Sequence, residues 1–336
     1  MRANQIKEFL KKGLKEEGFP SVFIWGAPGV GKSSIIRQVA EEMGIGFIKF
    51  DLLISDPCDL RGIPRTDEKT GRTRWCPPYS LPDIKRDGER GVFFLDDFPT
   101  ADPAVQKVGF QLLLEKRLGD YQLPQGWTIV GAGNRIQDRA GVGKMLTPIA
   151  NRLVHLTYDV DLEEWKSWAY QNGIDERVIS FLNFRPSLLL DFDPKKDTLA
   201  FPSPRSWEFL SKILKVSQDI ELIQGCVGEG AGVEFVSFLK CYQNLPDTDK
   251  ILEDPLYPKK LPESVSTMYA LVGGLVEKLK SQKNDKQKVE NVVKFSIRLQ
   301  KEFAVLLIKD LIKIGVDVFN VQSFDSFVKE HGEVIL

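Results

Sequence analysis

The chain has 336 residues, 42% hydrophobic and 28% charged, which excludes wholesale disorder and suggests two domains of roughly 150 residues each. Lys and Arg total 46 against 47 Asp and Glu, for a net charge of −1. Binding to nucleic acid by bulk charge is therefore not expected, although a local basic patch stays open. The four cysteines, Cys58, Cys76, Cys226 and Cys241, form no C-x-x-C pair, and there are two histidines. A disulfide scaffold is excluded and a structural zinc site disfavoured. Met1–Lys15 alternates charged and apolar residues without a secretory h-region, and no apolar run approaches the ~18–20 residues of a spanning helix. The expectation is a cytoplasmic protein with reduced thiols and no membrane partner.

In chain order, the pattern predicts a first strand at Val22–Gly26 (VFIWG) and a helix over Ser34–Met43, with Ile35, Ile36, Val39 and Ala40 on one face. A second strand follows at Gly46–Leu53, a third at Gly91–Asp96 (GVFFLD), a helix over Ala104–Leu118, a fourth strand at Trp127–Gly133 (WTIVGAG) and a fifth at Leu153–Tyr158. Apolar runs separated by helices predict an α/β fold with a parallel sheet covered on both faces. Near Asp159 the pattern changes and helices dominate: Leu162–Gln171, Glu176–Phe184, Ser206–Val216 and Val233–Tyr242. Asn244–Pro262 reads as a linker, and three more helices follow over Glu263–Leu279, Asp285–Gln300 and Glu302–Ile314. In the first of these, Val265, Met268, Leu271, Val272, Leu275 and Leu279 form one apolar stripe suited to core packing.

Gly26-Ala27-Pro28-Gly29-Val30-Gly31-Lys32-Ser33 matches G-x-x-x-x-G-K-[ST] between a strand and a helix, with Ser34 following. Such glycines let backbone N–H groups turn inward around phosphate oxygens, and the helix adds the positive end of its dipole. Lys32 suits the β- and γ-phosphates. The Ser33 hydroxyl suits Mg²⁺, a hard cation. Asp96 and Asp97 close the third strand, and two carboxylates at a buried strand end are costly without a task. Asp96 fits a magnesium ligand acting through water, and Asp97 a base that polarises the attacking water. Asn134, after the fourth strand, suits holding that water.

This series resembles the AAA+ ATPases, and within them the MoxR-like group. The resemblance rests on GAPGVGKS, on FFLDD, on Gly131-Ala132-Gly133-Asn134-Arg135, on Ile149-Ala150-Asn151-Arg152-Leu153 and on Pro202-Ser203-Pro204-Arg205-Ser206-Trp207, and it covers roughly residues 1–225. It implies Walker A, Walker B, sensor 1, an arginine finger and sensor 2 in turn. It also implies a five-stranded sheet of order 5-1-4-3-2 within an ATPase core (1–158), a helical lid (159–244) and a C-terminal helical extension (245–336). ATP and Mg²⁺ are the implied cofactors. Arg205 would reach its own subunit's phosphates, and Arg152 those of a neighbour in a homo-oligomeric ring, a hexamer by analogy. Arg139 is a second candidate for that inter-subunit role. Asp97 departs from the usual glutamate, which puts the hydrolysis rate in question.

Residues 52–90 form a long insert, with Ile63-Pro64-Arg65 and Thr73-Arg74-Trp75 suggesting a hairpin around Asp67–Gly71. MoxR-like proteins carry a helix-2 insert there. Arg61, Arg65, Lys69, Arg72 and Arg74 outweigh Asp67 and Glu68, so with Trp75 nearby the hairpin either grips a partner or single-stranded nucleic acid, or is simply solvated. Tyr121–Leu123, Pro124-Gln125-Gly126 and the fourth strand together resemble the pre-sensor-1 hairpin. The preferred function is an ATPase that remodels a protein client, with a separate von Willebrand factor A domain protein as a possible partner. A nucleic-acid motor or loader and a slow nucleotide-gated scaffold stay open.

Overall fold

Nine strands succeed one another among the described residues: β1 (Val22–Trp25), β2 (Gly46–Asp51), β3 (Ile63–Thr66), β4 (Thr73–Cys76), β5 (Arg90–Asp96), β6 (Arg117–Leu118), β7 (Tyr121–Gln122), β8 (Gly126–Gly133) and β9 (Val154–Thr157). The computed structural model describes residues 1–138, 145, 150–196 and 198–332. Two units are distinguished, Met1–Asp161 with Asp193–Asp197, and Leu162–Phe192 with Thr198–Leu336.

In the first unit, five strands form a parallel sheet in the order β2-β5-β8-β1-β9. Counting these five alone along the chain and reading from β9, the order is 5-1-4-3-2, as the resemblance implies. Strand β5 carries an unbroken apolar run, Val92-Phe93-Phe94-Leu95, because the strand is buried on both faces. Helices α1 (Ala3–Gly13), α2 (Lys32–Met43), α3 (Pro57–Arg61), α4 (Ile84–Asp87) and α5 (Pro103–Glu115) accompany the sheet. Ile35, Ile36, Val39 and Ala40 are the buried face of α2, as their spacing predicts. On α5, the Asp102 side chain caps the helix by accepting from Ala104 N, and Pro103 opens the first turn.

That helix ends at Glu115, short of the predicted Leu118, because Lys116 turns left-handed at φ 52°. The chain then folds into the β6–β7 hairpin. Its turn lies at Gly119-Asp120, with Gly119 at φ 53°, and not at Pro124–Gly126. In the insert, β3 and β4 pair antiparallel as expected, and Asp67 Oδ1 accepts from Lys69 N and Thr70 N to shape the turn. Arg61 stacks on Trp75 at 4.1 Å, and Trp75 N donates to Asp120 Oδ2 at 3.0 Å. The two hairpins are thereby tied together.

The second unit is helical: α6 (Leu162–Gln171), α7 (Glu176–Phe184), α8 (Pro204–Ile213), α9 (Ile220–Val227), α10 (Glu229–Gln243), α11 (Thr248–Glu253), α12 (Val265–Lys280), α13 (Lys286–Ile297), α14 (Lys301–Lys313) and α15 (Ser323–His331). Phe181, Trp207, Phe235 and Phe238 form its aromatic centre, with Phe181 edge-on to Phe235 at 5.2 Å. The predicted stripe on α12 is buried apart from Val265, and α12 packs on α7. Gly273 permits that approach, since a Cβ there would stand 1.7 Å from Ser180 Oγ. Buried among these helices, Lys166 Nζ pairs with Asp310 Oδ1 at 2.6 Å. Asp310 Oδ2 accepts from Tyr170 Oη at 3.0 Å and Asn183 Nδ2 at 3.3 Å, so the buried carboxylate is well partnered.

Candidate functional site

Strand β1 ends at Trp25, and Gly26–Gly31 turns the chain into α2. Gly29 and Gly31 take φ of 75° and 98°, values at which a side chain strains the backbone. The glycines of the motif therefore make the tight turn that opens α2 at Lys32. The N-terminal end of α2 opens onto this loop, and a helix start of this kind suits an anion. Within the loop Ala27 and Val30 are buried and Pro28 half-buried, while Ser34 is exposed on the helix.

Three strand ends meet the loop. Lys32 Nζ donates to Gly26 O at 2.9 Å, Ala27 O at 3.0 Å and Asn134 Oδ1 at 2.9 Å. The lysine is only 8% exposed, so its ammonium is already held within the loop. Ser33 Oγ donates to Asp96 Oδ2 at 2.9 Å. Residues far apart in sequence, Lys32 and Ser33 from α2, Asp96 from β5 and Asn134 from the end of β8, are thus joined at one edge of the sheet.

Asp97 follows Asp96 in a left-handed conformation, φ 52°, that an Asp tolerates better than most residues. Its N–H donates to Asp96 Oδ1 at 3.2 Å. Burial and the neighbouring Asp96 charge push the Asp97 carboxyl above its ordinary value, with Lys32 acting in the opposite direction. The chain turns here into a short 3₁₀ segment, Phe98–Thr100. Pro99 packs so closely on β8 that a Cβ at Gly133 would lie 2.4 Å from its Cδ. Gly133 is therefore a packing requirement where the exits of β5 and β8 approach, and Gly131 likewise clears the Phe23 ring of β1.

Two residues of the site escape the motif reading. Lys49 of β2 places Nζ 2.8 Å from Asp96 Oδ2 and 3.7 Å from Asp51 Oδ2. Burial alone lowers the Lys49 value, but the Asp96 hydrogen bond and charge outweigh it and raise it. Asp51 lies directly beside Asp96 in the β2–β5 register. The available signal was a lone lysine inside the strand sequence GFIKFD. Beside this strand end lies a cavity of about 670 Å³, lined by Lys49, Asp51, Ile54, Arg65, Pro77 and Tyr79 among others, so the insert borders the site.

Arg152 is not part of this cluster. It is exposed in the turn before β9, and β9 runs parallel to β1 with Val154 beside Val22 and Thr157 beside Trp25. The loop follows Trp25, so Arg152 sits at the opposite end of the strands. Trp25 Nε1 donates to His155 Nδ1 at 2.9 Å, which leaves Nε2 to donate to Ala150 O at 2.8 Å. This chain of bonds holds the turn that carries Arg152. Arg139 and Ile149 lie outside the described residues. Arg205 is exposed in the second unit, one residue into α8, whose start is capped by Ser203 and Ser206.

Among the described residues, no group of three or more His, Cys, Asp or Glu could hold a metal ion, and no helix is long and apolar enough to cross a membrane. A magnesium ion held with a nucleotide needs fewer protein ligands than that, and the Ser33–Asp96 oxygen pair has the right chemistry for it.

Residues 22–140 match the family model for the ATPase family associated with various cellular activities (AAA). No curated protein matches the chain. Solved structures that align with it include a point mutant of RuvB from Thermotoga maritima, at 17% identity over 81% of this chain and 82% of that one, TM-score 0.41. NtrX from Brucella abortus in complex with ADP aligns at 15% identity over 93% of this chain and 68% of that one, also at TM-score 0.41. By this match, residues 22–140, about a third of the chain, are similar to the domain of that ATPase family.

Proposed function

We propose that the chain is a Mg²⁺-dependent ATP hydrolase of the MoxR-like AAA+ type, working as a homo-oligomeric ring that remodels a protein partner. The observation that carries the hydrolase reading is the hydrogen-bonded junction of Lys32, Ser33, Asp96 and Asn134. On this reading Gly26–Ser34 wraps the phosphates with backbone N–H groups, and Lys32 turns its ammonium from loop carbonyls to the β- and γ-phosphates. Ser33 and Asp96 would hold Mg²⁺, directly and through water. Mg²⁺ supplies neutralising charge to the phosphate oxygens when bound. Asp97 accepts a proton from the attacking water, and Asn134 orients that water.

Two further arginines complete the proposal. Arg152 lies at the opposite strand end from its own loop, which suits a residue donated to a neighbouring subunit and not one acting in place. Its guanidinium keeps its charge and can meet two phosphate oxygens at once. Arg205 at the start of α8 is assigned to its own subunit's phosphates. The basic insert hairpin, tied through Trp75 to Asp120, is the candidate client-contacting surface, with a separate von Willebrand factor A domain protein as a possible partner.

Phosphate release from ATP tests the reading. Activity that needs Mg²⁺ and disappears in Asp96→Asn and Asp97→Asn supports it. Unchanged hydrolysis in both variants would overturn it. Affinity capture with Asp97→Asn in ATP then tests the client: a protein retained only with ATP supports remodelling, and stimulation of hydrolysis by DNA or RNA alone at physiological salt would contradict it.

A further inference from the structure

One oxygen of the site has two donors on it. Asp96 Oδ2 accepts from Ser33 Oγ at 2.9 Å and lies 2.8 Å from Lys49 Nζ. The ammonium thus sits on the carboxylate that the proposed function assigns to Mg²⁺. Its origin is geometric. In the β2–β5 register Lys49 lies beside Phe94 and Asp51 beside Asp96, so Lys49 and Asp51 share a face of β2. The four-carbon stem runs forward along the strand by two residues and delivers its charge to the strand end. Lys49 is 37% exposed, which leaves it room to move. Asp51 Oδ2, 3.7 Å from Nζ, offers a second anchor on its own strand.

We infer that Lys49 is a built-in competitor for the Asp96 carboxylate that sets how much Mg²⁺ the site requires. The inference rests on the metal assignment of the proposed function. A lysine on Oδ2 has two effects on a hydrated divalent cation. It occupies the oxygen that must accept a hydrogen bond from metal-bound water, and it adds a like charge within a few ångströms. Lys49 must therefore leave Asp96 before that oxygen can take up its metal task, and Asp51 is where its charge goes. The cost of that exchange appears as a higher magnesium requirement. A benefit follows: with no metal present, the Asp96 charge stays compensated and the exits of β2 and β5 stay joined.

The test reads nucleotide binding, not turnover. Affinity for a fluorescent ADP is measured over stepped free MgCl₂ in the wild type, Lys49→Met, Lys49→Arg and Asp96→Asn, with thermal melts to confirm folding. Lys49→Met keeps the stem and removes the charge, so half-saturating Mg²⁺ should fall about five- to tenfold, given the strength of a nearby unit charge. Lys49→Arg restores the charge and should need nearly as much Mg²⁺ as the wild type. A merely structural ion pair would weaken the fold without moving the magnesium requirement. An unchanged or raised requirement in folded Lys49→Met overturns the inference while leaving the metal site standing. If Asp96→Asn retains the wild-type magnesium dependence, the metal assignment itself fails, and the inference with it.

Discussion

Lys32 Nζ lies 2.9 Å from Asn134 Oδ1, linking the first residue of α2 to the exit of β8. The same ammonium also reaches Gly26 O and Ala27 O. These three acceptors are neutral, and phosphate oxygens would offer the ammonium a stronger, charge-assisted alternative. On the proposed reading, release from Lys32 would free the Asn134 amide to orient water.

Asn134→Ala should accordingly separate binding from chemistry. The loop and Lys32 remain, so ATP affinity should change less than about threefold, the scale of one modest hydrogen bond. Hydrolysis should fall about ten- to a hundredfold, on the scale of a lost positioning group. Single-turnover phosphate release alongside calorimetric ATP titration checks this. Equal losses in both would show that Asn134 only supports the loop.

Asp97→Asn should bind ATP and lose hydrolysis, because an amide cannot take the proton of attacking water. Asp97→Glu keeps the base on a longer arm and should retain measurable turnover. Phosphate release decides it. Wild-type hydrolysis by Asp97→Asn places the base elsewhere.

Arg152→Ala should bind ATP normally, still assemble, and hydrolyse about 10³–10⁵-fold more slowly, the range known for such fingers. If the residue acts on a neighbour, as proposed, the defect should be complementable. Mixed with Asp97→Asn, the Arg152→Ala subunit offers a complete site and receives a complete finger. Recovered activity in fully exchanged mixtures supports the assignment. Activity equal to the sum of the two residual rates contradicts it and makes Arg139 the next residue to examine.

In the helical unit, Glu176 is buried, and its carboxyl is pushed well above the usual range, first by burial and then by the charges of Asp310 and Glu277. A raised folded value means its stabilising contribution is complete below the ordinary carboxylate value and is lost as pH rises through the folded value. Urea unfolding at about pH 5 and about pH 8 should therefore show the wild type losing more stability than Glu176→Gln across that interval. Parallel pH dependence in the two proteins would mean that Glu176 ionises freely in the fold.

Much of the sheet was legible because its signals are local. A buried parallel strand such as β5 is one apolar run, and the loop after β1 is spelled by glycines at fixed spacing. Long amphipathic helices, α2 and α12 among them, were equally clear. Helix α1 was missed because Met1–Lys15 read only as alternating charged and apolar residues, and α3, α4, α9, α11 and α15 because each is too short to display a clear period. Glu115 ends α5 where a left-handed Lys116 overrides the apolar periodicity that continues to Leu118. For the site, the phosphate loop and Asp96 could be read from motifs. Lys49 could not, since its partner lies on an adjacent strand whose register no local pattern reveals.

The central claim is that Lys32 and the loop around it bind the phosphates of ATP. Calorimetric titration of ATP with Mg²⁺ into the wild type and Lys32→Ala tests this most directly, with urea unfolding of both as a control. The account predicts binding by the wild type, and affinity lower by at least about tenfold in a Lys32→Ala protein that still unfolds cooperatively, since one charge-assisted contact to phosphate is worth about 1.5–3 kcal/mol. Equal affinity in the two folded proteins would contradict it.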